Sequence, residues 1–92
     1  MEDCPVQKTA TLLSDTWTML IMRDLLVGPQ HFCELERSLV GISTRTLTLK
    51  LRKLEEERMI TKTKDGCYAA TKKGKGLLPI ERAMRRFGEQ YL

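Results

Sequence analysis

Ninety-two residues carry a net charge of +4, with 41% hydrophobic and 30% charged side chains, a balance that describes one folded globular domain and excludes a disordered tail. A domain of this size buries only about 60 to 65% of the surface its unfolded chain exposes, so apolar surface is left over for a partner. No apolar run approaches about 18 residues and no basic stretch followed by an apolar block opens the chain, so neither a membrane span nor a secretory leader is expected.

Pro5 suits the first turn of a helix running to about Leu13, with Val6, Ala10 and Leu13 as its inward face. Ser14 or Asp15 then caps a second helix, Thr16 to Val27, in which Trp17, Leu20, Ile21, Met22, Leu25 and Leu26 are apolar around much of the circumference. That helix should be central. Gly28-Pro29 ends it, since glycine accepts a left-handed terminus and proline cannot continue the ladder. A short third helix from about Cys33 to Leu39 turns Leu35 and Leu39 inward, and Gly41 supplies the turn that follows.

The fourth helix starts at Ser43, whose oxygen can accept from a free backbone N–H near Thr46. Leu47, Leu51 and Leu54 fall at spacings of four and three, one stripe facing a core. At about 100° per residue, Arg45, Leu49 and Arg52 point directly away from that stripe, with Thr46, Thr48 and Lys53 on its flanks. Further on, Asp65-Gly66 lies between two β-compatible runs, Thr61 to Lys64 and Cys67 to Ala70. It signals a hairpin, because a type I′ turn needs positive φ at both central residues. Thr71 is the expected cap of a last helix reaching the C-terminus, with Pro79 as a kink. There Leu77, Ile80, Met84, Phe87 and Tyr91 are spaced three, four, three and four. Such a seam is either core or a pairing surface, and pairing is favoured at the end of a chain too small to cover it.

Charge is unevenly placed along these elements. Residues 1–42 hold three Lys and Arg against six Asp and Glu, whereas residues 43–75 hold ten against four. A cationic surface around the fourth helix and the hairpin favours a polyanion through counterion release. Taken alone, a charged face is also consistent with plain solvation.

Helix, helix, short helix, basic helix, hairpin, helix is the order of a winged helix-turn-helix domain, a mainly α fold with a small β-hairpin. The chain resembles one group in particular, the HxlR-type bacterial transcription regulators, relatives of the MarR group. The resemblance rests on Cys4-Pro5-Val6; on Trp17-Thr18, then Leu20 to Leu26, Gly28-Pro29 and Phe32 to Leu35; and on Gly41-Ile42-Ser43 with Arg45, Leu47, Leu51 and Leu54-Glu55. It extends to Thr71, Gly74 and Leu77-Leu78-Pro79 after the hairpin. It covers almost the whole chain in order.

The resemblance implies a homodimeric DNA-binding repressor or activator, with repression favoured, and a cytoplasmic location is expected. Its recognition helices would occupy successive major grooves of an inverted repeat, with the wings reaching toward flanking DNA. On this sequence the recognition helix is Ser43 to about Glu57, and the terminal helices, about residues 4–13 and 72–92 of a single domain spanning 1–92, would form the dimer. Leu77, Ile80, Met84, Phe87 and Tyr91 are the interface candidates. Ser43, Thr44, Arg45, Thr46, Thr48, Leu49, Arg52, Lys53, Lys62 and Lys64 form the candidate DNA-binding set. Within it Arg45 suits a bidentate grip on guanine O6 and N7, Thr46, Thr48 and Leu49 are placed for bases or a thymine methyl, and Arg52 and Lys53 for phosphates. Lys62 and Lys64 belong to a hairpin shorter than the usual wing of this group.

Three cysteines, an odd number without disulfide-framework spacing, fit a reducing cytosol. Cys4 lies at a helix start, where the dipole and free N–H groups favour a thiolate, and Cys33 occupies a similar place beside His31. Some members of the resembled group sense stress through an N-terminal cysteine, so Cys4 is the redox-sensing candidate; the alternative is a small apolar residue in the interior. Cys33 replaces a polar residue where the third helix is expected to begin. The paired ligand spacing of structural zinc is missing, and neither a metal nor a cofactor is expected. No nucleophile elbow, phosphate loop or acid-base pair points to an enzyme. The alternative to DNA binding is an interaction module of the same fold, with Leu49 in an apolar docking patch and the cations serving solubility.

Overall fold

A computed structural model describes residues 4–92 of the chain. Helix α1 spans Pro5–Leu12, α2 Thr16–Val27, α3 Phe32–Ser38 and α4 Thr44–Glu56. Strands β1 (Ile60–Lys62) and β2 (Tyr68–Ala70) follow, then the short helix α5 (Lys72–Lys75) and α6 (Leu78–Tyr91). The architecture is the expected one, mainly helical with a single antiparallel hairpin in which Ile60 faces Ala70 and Lys62 faces Tyr68.

Central α2 packs against α3, α4, α5 and β2. Ile21, Met22 and Leu25 from α2 meet Leu35 and Leu39, the α4 stripe of Leu47, Leu51 and Leu54, and Met59, Ile60 and Leu77 in one core. Asp15, not Ser14, caps α2, accepting from the Thr18 N–H at 2.8 Å. Gly28 is extended, with φ 168°, so α2 ends there without a left-handed residue.

Four local expectations are corrected. Helix α1 forms, but Val6 is 77% exposed and Ala10 is exposed too; Leu12 and Leu13 at its end are what pack on the core. Before them Pro5, Gln7, Lys8 and Thr11 are exposed as well, and Cys4 and Thr9 are half-buried. Helix α3 begins one residue earlier than expected, with His31 as N-cap, its N–H donating to Glu34 Oε1 at 2.7 Å. Cys33 therefore lies inside the first turn and not at the start of the helix.

The third correction concerns the turn. Gly66 has φ 83°, but Asp65 does not share the positive φ that a type I′ turn requires. Instead the Gly66 N–H donates to Thr63 O at 3.0 Å and the Thr63 N–H to Cys67 O at 2.7 Å. Lys64 and Asp65 thus occupy the middle of the turn and glycine takes the left-handed place after it, the pattern of a three-residue loop. Fourth, Thr71 caps α5, not α6, accepting from the Gly74 N–H at 3.1 Å. Pro79 sits in the first turn of α6, where a missing N–H costs nothing, and makes no kink. The expected single helix is two, and the first of them, α5, packs against α2 and β2. A Cβ on Gly74 would lie 2.1 Å from Met59 O, so only glycine allows that approach.

Candidate nucleic-acid interface

Helix α4 is held in place from both ends. At its start Ser43 Oγ accepts from the Thr46 N–H at 3.0 Å, as the sequence predicts, and Thr44 Oγ1 donates to Glu36 Oε2 of α3 at 2.7 Å. At its end the Met59 N–H donates to Leu54 O and the Arg58 N–H to Glu55 O. This paired closure normally uses glycine, yet Arg58 occupies the left-handed position at φ 61°. Two more carbonyls there are satisfied from the α5 region, Glu57 O by Lys73 Nζ at 2.7 Å and Arg58 O by Thr71 Oγ1 at 2.6 Å.

The middle of α4 is tied to α2 by a contact that periodicity did not single out. Lys50 Nζ lies 3.0 Å from Asp15 Oδ2, and Thr18 Oγ1 donates to the same oxygen at 2.9 Å. Burial alone would raise the Asp15 carboxyl. The Thr18 N–H, the Lys50 ammonium and the Thr18 hydroxyl outweigh it and hold the carboxyl below its usual value. Lys50 is therefore a positioning residue, not a free cation. Its only sequence signal was a cap acid in α2, with nothing to say which cation would reach it.

With the leucine stripe between 0 and 2% exposed, the opposite face of α4 is turned outward. Arg45, Leu49, Arg52 and Lys53 are exposed, and Thr46 and Thr48 are half-buried. Among the described residues, the ion pairs are Arg23 with Asp24, Lys50 with Asp15 and Arg85 with Glu81. Arg45, Arg52 and Lys53 thus keep their charge available. Two hydroxyls of this face donate locally: Ser43 Oγ to Thr46 Oγ1 at 2.9 Å, and Thr48 Oγ1 to Thr44 O at 2.8 Å.

In the wing, Lys62 and Lys64 are exposed, and Lys62 Nζ lies 5.5 Å from the centroid of the Tyr68 ring. The wing is pinned by a bridge that the sequence did not announce. Gln30, between α2 and α3, exchanges two backbone hydrogen bonds with Tyr68, at 3.0 and 2.8 Å. Beside that bridge, Cys67 Sγ lies 3.3 Å from His31 Nε2. Cys4 is the half-buried N-cap residue of α1, and Cys33 is exposed. Among the described residues no three His, Cys, Asp or Glu side chains converge as a metal site would need.

The α6 seam divides. Leu77, expected in the pairing surface, is in the core at 5% exposure, because the α5–α6 junction turns it under α2. Ile80 packs partly on the core, while Met84, Phe87 and Tyr91 are 53, 58 and 65% exposed. Phe87 and Tyr91 rings lie 5.1 Å apart. Met84 also borders a groove of about 210 Å³ between α2 and α6, walled by Met19 and Leu20 and rimmed by Arg23, Glu81 and Arg85.

A helix-turn-helix with its second helix turned outward by a leucine stripe and a lysine-bearing hairpin beside it defines a winged helix-turn-helix, DNA-binding transcription regulator. Residues 12–92 match the HxlR-like helix-turn-helix family, and the chain belongs to it. It is 34% identical to the HTH-type transcriptional regulator sll1512 of Synechocystis over 97% of this chain and 70% of that one. The crystal structure of a MarR-family transcriptional regulator from Porphyromonas gingivalis superposes with a TM-score of 0.92 at 30% identity, covering 100% of this chain and 96% of that chain. Quinone-bound YodB from Bacillus subtilis gives 0.85 at 28% identity, covering 96% and 99%. These relatives are regulators and not enzymes. No helix among the described residues is long and apolar enough to cross a membrane.

Proposed function

We propose that this regulator works as a homodimer on an inverted-repeat operator, placing α4 of each copy in successive major grooves about 34 Å apart. The observation that carries the reading is the outer face of α4, where Arg45, Arg52 and Lys53 stand exposed and without an acidic partner among the described residues. Arg45 reads guanine, Arg52 and Lys53 hold phosphates, and Lys62 and Lys64 add sequence-independent attraction from the wing. The partner copy covers Ile80, Met84, Phe87 and Tyr91 together with Val6 of α1. Repression is the simplest output, because occupying the operator requires no further surface.

Arg45→Ala is expected to reduce the preference for operator over random duplex by about 1 to 3 kcal/mol, whereas Lys62→Ala weakens both alike and flattens the salt slope. Binding titrations at several salt concentrations check this; equal loss on every sequence from both variants rejects the division of roles. The second reading, an interaction module that leaves DNA alone, starts from the exposure of Leu49. Retention on random duplex that falls steeply with salt decides for DNA, and no retention at low salt decides against it.

Cys4 is the sensor in this proposal. It begins α1, whose exposed Val6 belongs to the proposed dimer surface, so an adduct there disturbs pairing. YodB, a relative at 28% identity, has been solved with quinone bound. A quinone or diamide should release wild type from DNA and leave Cys4→Ser bound; identical responses reject the assignment.

A further inference from the structure

Ser43, Thr44, Thr46 and Thr48 put four hydroxyls at the start and along the flanks of α4, of which Thr46 and Thr48 are placed for bases. Three of the four donate their proton within the chain, and Thr46 Oγ1 accepts one of those bonds. Ser43 caps the helix and donates to Thr46 Oγ1, Thr44 donates to Glu36, and Thr48 donates to the carbonyl of Thr44. The outward face then offers its cations, the half-buried Thr46 hydroxyl and one aliphatic side chain, Leu49, 46% exposed. It stands four residues after Arg45 and three before Arg52, on their stripe.

A lone leucine between two arginines is a poor protein docking patch, which needs contiguous apolar area of a few hundred Å². In the major groove it has one matching partner. Base edges there present donors and acceptors, and the single apolar group is the C5-methyl of thymine. We propose that Leu49 reads a pyrimidine 5-methyl group, and that this group lies within two base pairs of the guanine held by Arg45. The inference rests on the DNA reading proposed above.

The spacing follows from helix geometry. Four residues advance about 6 Å along an α-helix at about 1.5 Å each, and base pairs follow one another at about 3.4 Å. Two side chains of one stripe therefore address neighbouring or next-neighbouring pairs. Removing the methyl withdraws about one buried carbon from the leucine, which corresponds to roughly a fourfold loss of affinity per half-site.

The test uses two random duplex pools, one synthesised with thymidine and one with deoxyuridine, which lacks only the methyl. Wild type should enrich from the first pool a half-site with thymine within two base pairs of guanine, and uracil at that position should weaken binding about fourfold per half-site. Leu49→Ala, a change at an exposed position, should bind thymine and uracil duplexes equally, and Leu49→Met should restore the preference. Equal binding of both duplexes by wild type, or a preference that survives in Leu49→Ala, overturns the methyl reading and leaves DNA binding standing. Retention of neither pool overturns DNA reading itself, and this inference with it.

Discussion

Helices α4 and α6 are both amphipathic, each with leucine-like residues repeating at three and four, yet the apolar stripe of α4 is wholly enclosed while most of that of α6 faces solvent. The difference lies in what the rest of the chain brings to each. Helix α4 lies on α2 and is closed by β1, whereas α6 beyond Ile80 presents Met84, Phe87 and Tyr91 to solvent. One helix shows how the chain completes its own core. The other shows where it runs out of chain to do so, and that is the surface assigned above to a second copy.

The largest test of this contrast is Leu51→Ala against Phe87→Ala. Leu51 is 1% exposed, so its truncation leaves a cavity and should lower unfolding free energy by about 3 kcal/mol. Phe87, at 58%, should cost a single chain far less, which denaturant titrations of both variants at low protein concentration will compare. A negative charge on the open stripe sharpens the point. Phe87→Glu is expected to raise the dimer dissociation constant at least about tenfold in sedimentation equilibrium while leaving the fold intact; an unchanged constant places the pairing surface elsewhere.

Smaller effects probe how α4 is fastened. Arg58 holds a left-handed conformation that glycine adopts without strain, so Arg58→Gly should stabilise the chain by about 1 kcal/mol. Because the Asp15 carboxyl is held below its usual value, its contribution is complete above the unfolded-state value and fades as pH falls through the folded one. Asp15→Asn, which keeps an N-cap, should therefore flatten the acid limb of stability against pH. Solvent reaches both partners of the Lys50 pair, so the difference stays below about 1 kcal/mol.

Much of this was legible beforehand because it depends on local chemistry. The Ser43 cap, the α4 stripe, the central α2 and the presence of a hairpin follow from residue type and period. The candidate interface was legible to the same depth, since a stripe that faces inward fixes which residues face out. Where local signals competed, sequence reading erred. Asp65-Gly66 fits several turns, and only the pairing of Thr63 with Cys67 selects one. Thr71, Gly74 and Pro79 read as one kinked helix, whereas the folded chain closes α5 at Gly76 and opens α6 after Leu77.

By itself, then, the order of residues determined which segments coil, which faces are apolar and where the positive charge gathers, all set within a few residues along the chain. Only the folded chain decided that Lys50 would serve Asp15, that Gln30 would pin the wing through Tyr68, that Leu77 would leave the seam for the core, and that the Thr44 hydroxyl would be given to Glu36. Those outcomes depend on distances between segments far apart in sequence, and no periodicity encodes such distances.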